Sequence, residues 1–390
     1  MKKFNLQCIK CHAINETKTH CSCNQSRYYN FNTAIYDYDK ISREKLIPFE
    51  HIPRQGLDKY LPLLPNEKFT VSLGEGSTPL LPLKHLGKLL GLNNLYVKNE
   101  MVNPMGCFKD RGTSVVINMA LETNQRQLVI CSSGNAAISA AAYSNLARIP
   151  CTCFAAQSTS VGKKRLLQSF DCQFEYLDDY YAAIYRHVVD KYQGNDEVLN
   201  ITAGVNIFKE EGNKTIAFEI FEDIGVPDKI VVPIGNGSLY FGIYKGFWEL
   251  KQLGITEWLP QILGVQIRGH SPIAEALKQD KDFVDLKQLP KSIAEGGIAA
   301  QSSFCAPKVI EAIKQTNGGL IEISDNDLVK ALKRLVKLES FLTEPTSLAP
   351  FAALDQIGAK SNEKIVCVAS GNAFKNLEEI FEIIQSKEVQ

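Results

Sequence analysis

The sequence predicts an α/β protein built mostly on parallel sheets. Three observations lead there. From about residue 70 onward, short apolar runs alternate with segments of helical character. Several of the short runs, such as those around Val129-Ile130, Val231-Val232 and Ile365-Val366, are apolar and β-branched, as strands buried on both faces require. Loops rich in Gly, Ser and Asn then follow several of these runs, at the carboxyl end of a strand, where open α/β sheets bind ligands.

The expected strands are 95–98, 127–131, 152–155, 172–177, 229–234, 262–266 and 364–369. The expected helices are 110–122, 136–146, 163–168, 180–191, 213–224, 239–253, 325–339, 345–356 and 374–385. Ahead of them, residues 1 to 45 are polar and short on helical periodicity. Residues 46 to 65 carry Pro48, Pro53, Pro62 and Pro65, which suits a linker or an extended arm. At about 150 residues per domain, a chain of 390 residues holds two to three domains, and two α/β units of unequal size suit it better than one large sheet.

Composition narrows the function. Hydrophobic residues are 45% and charged residues 22%, near the globular average, which excludes wholesale disorder and collagen-like repeats. Lys plus Arg and Asp plus Glu both number 43, so the chain has no basic excess with which to bind nucleic acid by bulk charge. No apolar run reaches the roughly 18 residues of a membrane helix. The lysines at the N-terminus are not followed by an apolar core, so a secretory signal is not expected and the cytoplasm is the expected compartment.

The eleven cysteines fall into two groups. Cys8, Cys11, Cys21 and Cys23 cluster near the N-terminus, and Cys107, Cys131, Cys151, Cys153, Cys172, Cys305 and Cys367 are scattered. Two short-spaced pairs can close a tetrahedral four-sulfur zinc site, which would be structural because all four positions are filled. The Cys-x-Cys half is tighter than usual, His12 and His20 could substitute as ligands, and reduced thiols without metal are the other reading. The scattered cysteines read as small core hydrophobes, with Cys107 set apart by its place beside Lys109.

Four loops carry candidate chemistry. Gly106-Cys107-Phe108-Lys109 presents a lysine at the start of a helix, where the positive end of the dipole lowers its proton affinity. A neutral amine is what Schiff-base chemistry needs. Ser132-Ser133-Gly134-Asn135 follows a strand and precedes a helix of small residues, making an anion pocket suited to a carboxylate. Gly235-Asn236-Gly237-Ser238-Leu239 can wrap a single phosphate monoester with backbone amides. Ser370 would offer a neutral hydroxyl to a heteroaromatic nitrogen. Singly, each also reads as a solvated lysine, a helix cap or a tight turn. Together they make the inventory for pyridoxal 5'-phosphate.

With these residues in view, the sequence resembles the threonine synthase branch of the fold-type II, tryptophan synthase β-like, pyridoxal-phosphate enzymes. The matching stretches include Gly74-Glu75-Gly76-Ser77-Thr78-Pro79-Leu80, Asn103-Pro104-Met105-Gly106-Cys107-Phe108-Lys109-Asp110-Arg111-Gly112, Ser132-Ser133-Gly134-Asn135, Glu211-Gly212-Asn213-Lys214-Thr215 and Glu344-Pro345-Thr346-Ser347. The resemblance implies two open, twisted, mostly parallel α/β domains with a zinc-ribbon-like N-terminal extension. Residues 1–45 would form the extension, 46–101 with 201–390 the large cofactor domain, and 102–200 the small domain. It also implies a PLP-dependent lyase that converts O-phospho-L-homoserine and water to L-threonine and phosphate by γ-elimination and β-addition. Homodimers are usual in the family.

By the same resemblance, Lys109 would hold the cofactor covalently and act as the catalytic base. Asn135 would bond the ring hydroxyl oxygen, Gly235, Asn236, Gly237, Ser238 and Leu239 the phosphate, and Ser370 the ring nitrogen. Thr78, Ser132, Ser133 and Gly134 would contact the substrate, with Lys163, Arg165 and Lys209 as phosphate contacts. Where many threonine synthases carry Thr-Gly-His-Gly, this chain has Ser370-Gly371-Asn372-Ala373, closer to the dehydratases. Ala294-Glu295-Gly296-Gly297-Ile298-Ala299 leans the same way. Elimination or replacement at the β-carbon of a serine- or phosphoserine-type substrate is therefore the alternative, and a non-catalytic binding protein on an inactive scaffold is a third reading.

Overall fold

The structure is a computed structural model describing residues 3–15, 21, 23–24, 26–44, 56–157, 159, 161–287, 292–294, 301–375, 377 and 380–381, without the side chains of 161–163. In chain order its strands are β1 (Asn5–Cys8), β2 (Ile14–Asn15), β3 (Asn32–Ile35), β4 (Leu80–Pro82), β5 (Asn94–Asn99), β6 (Gln127–Cys131), β7 (Cys151–Ala156), β8 (Gln173–Leu177), β9 (Val198–Asn200), β10 (Lys229–Pro233), β11 (Gln261–Ile267), β12 (Gly319–Ile323) and β13 (Lys364–Ala369). The chain divides into two compact units. One comprises Met1–Ser77, Asn103–Met105 and Lys109–Thr215, the other Thr78–Val102, Gly106–Phe108 and Ile216–Gln390.

The first unit holds two sheets. A small antiparallel one has the order β2-β1-β3. A parallel one has the order β8-β7-β6-β9, with Val129 of β6 level with Thr152 of β7 and Asn200 of β9. Strands β6 and β7 are apolar and almost wholly buried, as a parallel sheet covered on both faces demands.

The second unit holds a six-stranded sheet, β12-β11-β10-β13-β5-β4, parallel except for the edge strand β4. Val97, Val231, Val265, Ile365 and Cys367 of this sheet share a core with Leu328, Leu332 and Leu335 of helix Asp325–Glu339. That helix starts at a capping box in which Ser324 and Asp327 satisfy each other's backbone amides. Strand order steps from β10 to β13 in mid-sheet, which puts the ends of two non-consecutive strands side by side, the usual place for a ligand crevice.

The α/β alternation expected from sequence is present, with four departures. The expected helix 213–224 is two helices, Phe208–Asn213 and Thr215–Ile224. The Thr215 hydroxyl donates to the Gly212 carbonyl and accepts from Arg111, competing with the helical ladder there. The expected helix 345–356 is broken into 3₁₀ turns at Pro345–Leu348 and Leu354–Gln356 around a short helix Ala349–Ala352, with Pro350 at its start. The expected arm 46–65 includes a 3₁₀ turn, Asp58–Leu63, that buries Tyr60 and Leu63, while 46–55 lies outside the described residues. Of the expected helix 374–385, the turn Ala373–Lys375 is described and most of the rest lies outside the described residues. Among those described, no helix is long and apolar enough to cross a membrane.

Candidate active site

In the first unit, Lys109 is the first residue of helix Lys109–Glu122. The Asp110 carboxylate accepts from the Met105 backbone amide at 2.7 Å, folding the preceding loop back over the helix start. Residues 110–120 of the helix are buried, including Arg111, whose guanidinium donates to Thr215 Oγ1 at 2.9 Å. Lys109 itself is only half-buried. Gly112 lets the Lys209 backbone approach: a Cβ there would lie 2.5 Å from the Lys209 carbonyl oxygen. The Lys209 amine is buried and donates to Thr113 Oγ1 at 2.8 Å, one turn along the face that carries Lys109.

The Ser132–Gly134 loop leaves β6 and enters helix Asn135–Ala147 in the same unit. Gly134 is the N-cap residue and has no side chain with which to cap the first turn. Ser132 Oγ accepts from the Gly134 amide at 3.3 Å, and the Ser132 amide donates to the Phe154 carbonyl, so the loop is pinned from below. Residues 132 to 136 remain half-buried, as an anion pocket on a helix N-terminus requires. Arg165 is exposed on helix Val161–Gln168, and the Lys163 side chain lies outside the described residues.

In the second unit, Gly235, Asn236 and Gly237 link β10 to helix Ser238–Gln252. Gly237 has φ of 100°, a left-handed conformation, and a Cβ there would meet Val309 Cγ2 at 2.7 Å. The loop is held from behind by residues 303 to 305. Ser303 Oγ donates to the Gly235 carbonyl at 2.6 Å, the Phe304 amide to Asn236 Oδ1 at 2.6 Å, and the Cys305 amide to the Asn236 carbonyl at 3.0 Å. Ser238 and Leu239 are buried at the start of the helix.

Ser370 follows β13 in the same unit and is 2% exposed. Its hydroxyl shares a 2.8 Å hydrogen bond with Ser347 Oγ, which also accepts from the Gly371 amide at 2.8 Å. Thr343 Oγ1 donates to the Gly371 carbonyl, and Phe108 N–H to the Ser370 carbonyl. Gly371 has no room for a side chain: its Cβ would lie 2.3 Å from the Glu344 carboxylate. Ser347 is not among the site residues expected from sequence. The one available signal was the Glu344-Pro345-Thr346-Ser347 stretch. Cys107 is buried, and its backbone bridges Gly371. Thr78 is also here, in a buried ionic network. Its hydroxyl donates to Glu100 at 2.6 Å, its amide to Glu219, and Lys98 Nζ bonds both the Thr78 carbonyl and Glu219.

Near the N-terminus, the sulfurs of Cys8, Cys11, Cys21 and Cys23 all lie within 4.8 Å of one another. The shortest separations are 3.3 Å between Cys11 and Cys21 and 3.4 Å between Cys8 and Cys23. Tetrahedral Zn–S bonds of about 2.3 Å set sulfurs about 3.8 Å apart, so the donor set fits zinc closely. His12 is exposed and outside this group, and His20 lies outside the described residues.

The cradle at 235–238, which a Cβ at Gly237 would obstruct, fits a phosphate ester. The buried Ser370–Ser347 pair fits an uncharged partner for a ring nitrogen. Residues 71–371 match the family of pyridoxal-phosphate dependent enzymes, and the chain belongs to that family. Among curated proteins it is similar to the threonine synthase of Methanocaldococcus jannaschii, 34% identical over 95% of this chain and 92% of the relative. The threonine synthase of Methanosarcina acetivorans is 32% identical over 99% of this chain and 96% of the relative. Among solved structures, maize serine racemase superposes with a TM-score of 0.66 at 22% identity, over 78% of this chain and 90% of its own. Diaminopropionate ammonia lyase from Escherichia coli gives 0.70 at 13% identity, over 87% and 95%. These two likenesses establish the shared α/β fold.

Proposed function

We propose that this enzyme is a threonine synthase acting on O-phospho-L-homoserine and water, releasing L-threonine and phosphate. The observation that carries the reading is whole-length similarity to threonine synthases in a chain whose loops hold Lys109, the 235–238 cradle and Ser370. Pyridoxal phosphate, when bound, supplies the electron sink that stabilises negative charge at the substrate's α-carbon.

The chain's own residues do the rest. Amides of Gly235, Asn236, Gly237, Ser238 and Leu239, with the positive end of helix Ser238–Gln252, bind the cofactor's phosphate dianion. Asn135 would hold the ring hydroxyl oxygen. Ser370 would offer the ring nitrogen a neutral hydroxyl, which would leave the ring less electron-withdrawing than a carboxylate partner would and suit elimination and replacement better than transamination. Lys109 would hold the cofactor through Nζ, and its free amine would take the proton from the substrate's α-carbon. Ser132, Ser133 and Gly134 hold the substrate's carboxylate, with Thr78, Lys163, Arg165 and Lys209 assigned to the substrate side by family resemblance. Thr78 would act there through groups other than the hydroxyl proton it gives to Glu100. Zinc held by Cys8, Cys11, Cys21 and Cys23 would be structural, since four thiolates leave no open position. Homodimerisation, a cytoplasmic location and the division into 1–45, 46–101 with 201–390, and 102–200 also rest on that resemblance.

The stretch Ser370-Gly371-Asn372-Ala373 favours a second reading, elimination or replacement at the β-carbon. A phosphate-release assay separates the two. The holoenzyme is expected to turn over O-phospho-L-homoserine at least about a hundredfold faster than O-phosphoserine. Turnover of O-phosphoserine or serine, with none of O-phosphohomoserine, would establish the second reading instead.

A further inference from the structure

The scattered cysteines do not all behave as isolated core fillers. Cys151, Cys153 and Cys172, in the first unit, bring their sulfurs within 4.8 Å of one another. The pairing of Thr152 with Gln173, extended by one residue, sets Cys172 level with Cys151 on the neighbouring strand. Alternation along β7 then puts Cys151 and Cys153 on the same face as Cys172. Cys153 and Cys172 sulfurs are 3.4 Å apart, and the Cys172 thiol lies 3.1 Å from the Cys151 carbonyl. Cys151 and Cys153 are buried, whereas Cys172 is half-exposed at the edge of the sheet.

We propose that Cys172 is a peroxide-reactive thiol, and that the β7 pair Cys151 and Cys153 resolves its oxidised form to a disulfide. The Cys172 sulfur attacks one oxygen of a hydroperoxide. The O–O bond breaks, an S–OH bond forms, and the second oxygen leaves as water or alcohol after gaining a proton. A thiol of the pair then attacks the Cys172 sulfur. The S–S bond forms, the S–O bond breaks, and hydroxide leaves as water with the proton of the attacking thiol. In sum, two thiols lose two electrons and the peroxide gains them.

Electrostatics divide the roles the same way. Hydrogen bonding with Cys151, then Cys153, lowers the Cys172 thiol against the opposing effects of burial and the Asp171 charge, while the Cys153 thiol is pushed up by its neighbours and by burial. Cys172 is the half-exposed member of the three and Cys151 and Cys153 are buried, so a peroxide meets Cys172 first. Neighbouring strands run about 4.8 Å apart, so Cys151 lies within the 4.4–6.8 Å Cα range that a disulfide spans. A soft monovalent ion on three thiolates would instead leave a net charge of about −2 partly buried, which a neutral disulfide avoids.

The test treats the zinc-loaded full-length holoenzyme with one to five equivalents of hydrogen peroxide, alkylates it, and maps tryptic peptides. The expected product is a cross-link between the peptides 149–163 and 166–186, two hydrogens lighter and reversed by dithiothreitol. Cys172→Ser should abolish the cross-link and leave Cys151 and Cys153 free to be alkylated. In the Cys151→Ser/Cys153→Ser variant, dimedone should label Cys172. The wild-type cross-link and its reversal stand independently of how the variants fold. Full alkylation of Cys172 while other cysteines oxidise would overturn the proposal. So would an ion in the purified protein, beyond any held by Cys8, Cys11, Cys21 and Cys23, that Cys172→Ser removes.

Discussion

Ser347 and Ser370 are 23 positions apart in sequence and 2.8 Å apart in the fold. Ser347 Oγ also accepts from the Gly371 amide, which ties the hydroxyl pair to the backbone. Ser347→Ala should leave that buried amide without its acceptor and cost about 1–3 kcal/mol of stability. Denaturant unfolding of the apoprotein would measure this, and weaker cofactor binding by absorbance titration should accompany it. Lys109→Ala should abolish the visible absorbance of the protein–cofactor complex while leaving the fold intact, as circular dichroism would report. The Glu363–Lys229 ion pair gives a pH test. Its hydrogen bond from Lys229 holds the Glu363 carboxyl below its ordinary value. A depressed folded value stabilises the native state above the ordinary carboxyl range, about 4.3, and the contribution fades as pH falls through the folded value. The stability difference between wild type and Glu363→Gln should therefore be full at pH 6 and fall away as pH drops below the ordinary carboxyl range in denaturant titrations. Lys109 was legible in the sequence because Gly, an aromatic residue and a helix-forming run surround it. Ser347 was not, because only tertiary structure sets it beside Ser370.

At the scale of elements, strands β6 and β13 match the sequence expectation residue for residue, since an unbroken apolar, β-branched run has few alternatives to a buried strand. Strands β1 to β3 were not legible. They are short, carry Asn and Gln, and pair in a small sheet that also carries part of the cysteine cluster. Edge strand β12, Gly319–Ile323, is half-exposed, and its weak pattern reads equally as a loop. The phosphate cradle depends on one backbone conformation. Gly237→Ala must place a Cβ where Val309 sits and hold φ near 100°. A cost of about 1–3 kcal/mol at such a position is about a ten- to hundredfold loss, and it should appear as weaker cofactor binding. For the N-terminal cluster, elemental analysis of the purified protein should find one zinc per chain, lost in a Cys8→Ser/Cys11→Ser variant. A fully reduced, zinc-free native protein would remove the metal from the account.

For the whole molecule, the α/β class and the parallel sheets were legible because hydrophobic period and length distinguish buried strands from amphipathic helices over many elements at once. The order β12-β11-β10-β13-β5-β4 was not, because β13 is set between β10 and β5 by contacts between segments more than a hundred residues apart. Membership of the pyridoxal-phosphate family follows from residues 71–371. Reaction type is the finer claim, and the origin of one oxygen atom tests it. With the holoenzyme turning over O-phospho-L-homoserine in water enriched in oxygen-18, water addition at the β-carbon puts the label in the hydroxyl of threonine. Phosphate should be released one for one, unlabelled, because its bridging C–O bond is the one that breaks. Unlabelled threonine, labelled phosphate with free homoserine, or ammonia and a keto acid in place of threonine would contradict the proposed reaction.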